Sequence, residues 1–155
     1  PLEIGIDKFD NKLILSNEIT SSLLWFDTET DSLFLKSYKS QITANQKERK
    51  YKIEHETTEQ FESEFARYRE EINFMSPFWD EDKQCFYRFS YIENSGKASV
   101  YLTAYDKNLN QLGETLLPQL TKKPSNHFSK DGKIWIYKNI EDEMAFVRLS
   151  FDKIN

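Results

Sequence analysis

The sequence predicts a mainly β protein of antiparallel, propeller-like blades, a partial propeller of about three, with one amphipathic helix inserted near residues 57–74. Three observations point there. An aromatic residue followed by aspartate closes an alternating apolar run three times, at Phe26-Asp27, Tyr105-Asp106 and Phe151-Asp152. Each of these runs follows a shorter apolar run that begins at a turn-prone Asp. Finally, 46 residues separate Asp106 from Asp152 while 79 separate Asp27 from Asp106, an excess of 33 that matches one helical stretch. With that stretch removed, the period falls in the range of about 40–50 residues typical of four-stranded propeller blades. The whole of 1–155 therefore reads as a single β-repeat domain, a fragment of a larger propeller.

The strands follow in order. "DNKLILSNEI" at 10–19, "DKQCFYRFSYI" at 82–92 and "DGKIWIYKNI" at 131–140 each place a turn before an apolar run. "SLLWFD" at 22–27, "ASVYLTAYD" at 98–106 and "MAFVRLSFD" at 144–152 supply the next strand of each unit. "SLFLKSY" at 32–38 and "QLGETLL" at 111–117 supply a third in two of them. All are rich in β-branched, aromatic or leucine residues and are bounded by Asn, Asp, Gly or Ser, as strands are. One small twisted sheet cannot bury both its faces, so such units shield one another by stacking.

The helix has its own signals. Thr57 is a candidate N-cap, with Gln60 three positions on to complete a capping box. Phe61, Phe65, Tyr68 and Ile72 recur at helical spacing and form one apolar stripe. Arg67 and Glu71 stand one turn apart, and the helix ends before Pro77. The stripe is expected to dock the helix on the side of a sheet. The alternative is a lid or partner-binding arm.

Composition narrows the function more than it names it. With 21 basic and 26 acidic residues the net charge is −5, which disfavours a phosphate backbone as partner. The one basic cluster, "QKERKYK" at 46–52, reads as a solvated loop. Cys85 is the only cysteine, so neither an internal disulfide nor a thiolate metal cluster is available. No stretch approaches the roughly 20 apolar residues of a membrane helix. The start at Pro1, without methionine or a charged-then-apolar leader, reads as a trimmed or processed piece.

Candidate chemistry is sparse. His55 lies in the polar "EHETTE" and reads as solvent-exposed. His127 has Ser125, Ser129 and Asp131 nearby, but a catalytic triad is defined by converging geometry, and no Gly-x-Ser-x-Gly elbow is present. "DTETD" at 27–31 and "DEDKQ" at 80–84 lack the glycine and distal glutamate of a calcium loop and read as Asp-capped turns. No Gly-rich phosphate cradle occurs among four glycines. Two arginines inside strands stand out: Arg88 shares a face with Phe86 and Ser90, and Arg148 with Phe146 and Ser150. Each is expected to run its stem over an aromatic with its head in water, or else to point at an axial channel and hold an anionic or sugar ligand. With Trp79, Tyr87 and Trp135 they make up the expected ligand-binding set, with no catalytic residue, metal or cofactor assigned.

"LLWFDTETDSLFLKSYKSQITANQKERKYK", "INFMSPFWDEDKQCFYRFSY", "LTAYDKNLNQLGE" and "FSKDGKIWIYKNIEDEMAFVRLSF" together resemble an uncharacterised family of bacterial cell-envelope lipoproteins. That resemblance, from about residue 10 onward, implies a longer protein with a lipidated N-terminus and propeller-like repeats, of which this chain is the C-terminal part. It implies a periplasmic or outer-membrane-anchored location and carries over no activity. The expected function is a non-enzymatic binding or scaffold module for a carbohydrate or protein ligand, without nucleic acid or membrane span, with self-association of the fragment as a further expectation. The alternative is a glycan-acting hydrolase using carboxylates from the blade loops.

Overall fold

The computed structural model describes residues 3–140 and 142–150. The first sheet runs β1 (Ile4–Phe9), β2 (Lys12–Asn17), β3 (Leu23–Asp27) and β4 (Ser32–Lys36), paired in that order. A long connection leads to α1 (Thr58–Glu70). The second sheet contains β5 (Asn73–Phe74), β6 (Phe78–Asp80), β7 (Cys85–Asn94), β8 (Lys97–Tyr105) and β9 (Gln111–Leu116), with β5 and β6 both pairing with β7. The third is β10 (His127–Lys130), β11 (Lys133–Ile140) and β12 (Glu143–Leu149). Every pairing is antiparallel, so each sheet is a meander and the protein is mainly β with one helix. The three sheets form an open array; among the described residues none closes into a ring or barrel.

Turn chemistry repeats with the sheets. The hairpins entering β2, β7 and β11 each place a residue at positive φ: Asp10, Gln84, and Asp131 with Gly132. Such hairpins need left-handed backbone to match strand twist. Asp27 closes β3 and Asp106 follows β8, each the third position in its sheet. Asp27 Oδ1 accepts from the Glu29 and Thr30 amides, and Asp106 Oδ1 from those of Asn108 and Asn110. The third aspartate of the pattern, Asp152, lies outside the described residues.

The second sheet is covered on both faces. Ile14, Leu23 and Trp25 of the first sheet cluster with Phe86, Tyr105 and Leu109. Tyr87, Phe89, Val100 and Leu102, on the opposite face, cluster with Ile134, Ile136 and Leu149 of the third sheet. Successive β7 residues point to opposite faces, so all of Cys85–Tyr91 is buried. Burial raises the pKa of the Cys85 thiol and keeps it unreactive.

The helix departs from expectation in three ways. It ends at Glu70 rather than near 74, because Asn73 Nδ2 donates to the carbonyls of Arg69 and Glu71 and the chain turns into β5. Ile72, buried beyond the last turn, therefore leaves the stripe. The helix does lie against β7, where Arg69 pairs with Glu93 at 3.7 Å, but none of its residues is buried, and Phe61 and Phe65 remain 48% and 38% exposed. The N-terminal signal holds, with Thr57 Oγ1 accepting from the Gln60 amide and Gln60 Oε1 accepting from the amide of Glu56. Arg67 pairs with Glu64 at 3.4 Å, while the Glu71 carboxylate accepts from the Arg49 and Lys50 amides.

Candidate ligand-binding cleft

The strands that sequence reading passed over, β1, β6 and β10, are the ones that form a cleft. β1 and β10 open the first and third sheets and β6 lies near the start of the second; β6 and β10, of three and four residues, are too short for a periodic signal. The hairpin turns just after them were the available clue, since a tight turn needs a strand on both sides. The cleft, about 490 Å³, lies between β1, the segment from Phe74 to Phe78, and His127 at the start of β10. Gly5 lets β1 come this close: a Cβ there would stand 2.0 Å from Ser76 Oγ and 2.7 Å from Ser16 Oγ. Those two hydroxyls bridge the first and second sheets at 3.3 Å.

The polar groups of the cleft are chiefly acceptors. Asp7 Oδ2 is buried and has no hydrogen-bond partner, and burial raises the pKa of this carboxyl. Glu3 lines the same cavity, as does Asn17, whose Oδ1 already accepts from the Ile19 and Thr20 amides. His127 sits edge-on to Phe78 and Phe89, with ring centroids 4.7 and 4.9 Å away. Its Nδ1–H donates to the Ser125 carbonyl at 2.7 Å, and burial lowers its pKa. A neutral ring that donates through Nδ1 keeps Nε2 as an acceptor. Phe74, Pro77 and Phe78 supply apolar wall. Such a cavity suits a ligand that brings hydrogen-bond donors and one apolar face.

The five residues expected to bind ligand do not form one site. Arg88 is 1% exposed and lies between the first and second sheets. Its Nε donates to the Met75 carbonyl at 2.6 Å, Nη1 to Ser21 at 2.6 Å, and Nη2 to Asn17 and Thr20 at 2.9 and 3.3 Å. The guanidinium also stacks 5.0 Å over Phe74. Its head is thus neither in water nor in a channel; it pins the β2–β3 connection to β7. Burial lowers its pKa, and carbonyl dipoles hold the charge. Tyr87 is in the core between the second and third sheets. Trp79 packs on Phe9 and Phe86, and its Nε1 donates to Glu81 at 2.6 Å. Trp135 and Arg148 do meet, as cross-strand partners with the guanidinium 5.9 Å from the indole, on the outer face of the third sheet.

A second, smaller groove of about 230 Å³ follows the helix. Phe61, Phe65 and Tyr68 stack nearly parallel at 5.6 and 6.0 Å, and Tyr51 meets Tyr68 edge-on at 5.0 Å. His55 is half-buried against Phe61 with Nδ1 unpartnered, not the solvated residue expected. The basic segment is likewise not uniformly solvated. Lys47 is 3% exposed, donates to the Tyr68 carbonyl and to Asn73 Oδ1, both at 2.7 Å, and lies 3.7 Å over the Tyr68 ring. Burial lowers its pKa to about 8.

The remaining motifs resolve into structure. The Ser125 hydroxyl donates to the Tyr137 carbonyl and Ser129 Oγ has no partner, so neither serves His127. Asp80 Oδ1 accepts from the Asp82 and Lys83 amides, the same capping as at Asp27. Among the described residues no group of three or more His, Cys, Asp or Glu is placed to hold a metal ion, and no helix is long and apolar enough to cross a membrane.

Residues 4–116 match a family model described as Domain of unknown function (DUF4221). The chain is similar to the crystal structure of a member of the DUF4221 family from Bacteroides vulgatus, with a TM-score of 0.67 and 13% sequence identity. The likeness covers 96% of this chain and 46% of that one, so the chain spans about half the length of the solved relative. No curated protein matches it.

Proposed function

The chain belongs to the DUF4221 family, a domain of unknown function, and from that premise we propose that it is a non-enzymatic binding module of the bacterial cell envelope, part of a propeller-like lipoprotein. The propeller reading is supported by three meanders in chain order and by the equivalent stations of Asp27 and Asp106. The envelope location rests on the resemblance of the sequence alone, and fractionation of cells producing the natural protein tests it. The ligand is a small polyhydroxylated molecule, a carbohydrate, seated in the cleft between β1, the segment from Phe74 to Phe78 and the start of β10.

One observation carries the ligand class. Asp7 Oδ2 is a buried carboxylate oxygen with no donor, beside a cavity of ligand size. A buried acceptor left unpaired is unfavourable by roughly 1–3 kcal/mol, and a hydroxyl from a bound sugar relieves it. Asp7→Asn is expected to weaken carbohydrate binding at least tenfold by calorimetry while stabilising the free protein by about 0.5–1 kcal/mol, the usual trade between site and fold. Unchanged affinity in that variant, for glycans that bind the parent, would remove the cleft as the site.

A hydrolytic reading has one observation in its favour. Asp7, with its raised pKa, shares the cleft with Glu3, and glycoside hydrolysis uses two carboxyl groups, one held protonated. Hydrolysis of a glycan panel, lost in both Asp7→Asn and Glu3→Gln, would favour it over binding alone.

A further inference from the structure

The aromatic row of the helix already seats cations from its own chain. Arg69 stands 4.5 Å over the Phe65 ring and pairs with Glu93 at 3.7 Å. Lys47 stands 3.7 Å over Tyr68. A ring face with a carboxylate beside it suits a guanidinium, which is planar, weakly hydrated and always charged. Phe61, the third ring of the row and more exposed than Phe65, has no cation over it among the described residues.

The surroundings of Phe61 supply the rest of such a seat. The groove along the helix continues into a wider cavity of about 910 Å³, the two sharing Tyr51, Ile53, His55 and Glu64. Their walls hold four carboxylates, Glu18, Glu54, Glu56 and Glu64, against one lysine, Lys52. Glu18 accepts from the Glu3 amide, and Glu64 from the Lys52 amide while pairing with Arg67. Glu54 and Glu56 form no ion pair among the described residues. Between them in sequence, His55 meets the Phe61 ring edge-on at 5.4 Å, and its Nδ1 is buried without a partner. With the ring proton on Nε2 that atom is an acceptor, and a buried acceptor calls for a donor. Every wall comes from residues 18–19 and 51–68, inside the chain and ahead of the second sheet.

We propose that this groove docks an arginine side chain of a partner polypeptide, its guanidinium over Phe61 and its N–H groups donating to His55 Nδ1 and to the carboxylates of Glu54 and Glu56. Arg69 on Phe65, paired with Glu93, is the same arrangement made within the chain. A lysine ammonium is more strongly hydrated and lacks the flat face and the fork, so it fits less well. A neutral apolar segment would cover the rings and leave His55 Nδ1 and two carboxylates unanswered. The groove is separate from the cleft, and its occupant does not depend on a carbohydrate bound there.

The test is an NMR titration of the isotope-labelled whole chain with a capped alanine–arginine–alanine tripeptide, set against the same peptide carrying citrulline, the neutral isostere of arginine, or lysine. The arginine peptide is expected to shift amides within 51–68, with the citrulline peptide about tenfold weaker and the lysine peptide in between. Phe61→Leu keeps apolar bulk and loses the ring, and is expected to weaken the arginine peptide by about fivefold or more. Glu54→Gln combined with Glu56→Gln is expected to weaken it and to flatten its salt dependence. All three positions are exposed, so the variants are expected to keep the dispersed spectrum of the parent. No shifts within 51–68 up to about 20 mM peptide, citrulline binding as well as arginine, or full affinity in Phe61→Leu would each overturn the proposal.

Discussion

Each of two regions buries a cation, and the two solve the problem differently. In the sheet stack, Arg88 spends its planar fork on four carbonyls and an aromatic face. In the insertion that carries the helix, Lys47 has one carbonyl, one amide oxygen and the Tyr68 ring. Arginine stays charged whatever its surroundings, so its site must be fully furnished; lysine can shed its proton, so a partly furnished site is tolerated. The same contrast holds for apolar side chains. Phe89 is fully buried between two sheets, whereas Phe61 and Phe65 stay partly exposed and meet near neighbours of the insertion, namely each other, His55, Tyr68 and Arg69. The teaching is that the stack is rigid by mutual coverage, and the insertion is held by local contacts that leave its surface available.

That comparison can be broken at its strongest point. Arg88→Met removes the guanidinium from four carbonyls, that of Ser21 buried and the others partly so, and is expected to lower stability by about 3–5 kcal/mol in chemical denaturation, the range for opening a buried charged network. A loss under about 1 kcal/mol would mean that water replaces the guanidinium and that the stack is looser than its burial implies.

Lys47 sharpens the contrast through pH. Its pKa is lowered to about 8 in the fold, against 10.5 in the unfolded chain. Between those values the unfolded state holds more protons, so this residue makes stability rise with pH there, by up to about 1.4 kcal/mol per unit. Below pH 8 the penalty of burying the charge is fully present. Lys47→Met is expected to flatten the rise, measured as denaturation midpoints from pH 7 to 10.5. An identical pH profile in parent and variant would place the amine in ordinary solvent.

The smallest effect is expected on the helix. Phe61→Ala removes a ring that is nearly half exposed and is expected to change stability by no more than about 0.5 kcal/mol. A loss several times larger would show the aromatic row to be core after all.

Much of this architecture was legible in the chain. Alternation located β2, β3, β4, β7, β8, β9, β11 and β12 to within a few residues, because each has one face that must be apolar and a turn residue at its end. Thr57 and Gln60 announced the start of the helix for the same local reason. The capping aspartates at 27 and 106 carried the repeat, since a side chain that bonds the amides two to four residues ahead needs nothing beyond its own turn.

Arg88 shows where such reading stops. Its alternation with Tyr87 and Phe89 assigned it to a face, but whether that face met water, a channel or another sheet depended on carbonyls of residues 17, 20 and 21, nearly 70 positions away. The stripe on the helix was read correctly as apolar and wrongly as buried, because periodicity reports which side chains lie together and not what lies opposite. The cleft was invisible for a related reason: Asp7 comes from the first sheet, Ser76 from the link between β5 and β6, and His127 from the third sheet, and no local pattern joins them. Sequence alone determined the elements whose causes are local, namely strand alternation, turn capping and the helix start. Only the tertiary structure decided what each face meets, because burial is a relation between surfaces far apart in the chain, and with it which charges are pinned, which rings stay free and where a ligand can sit.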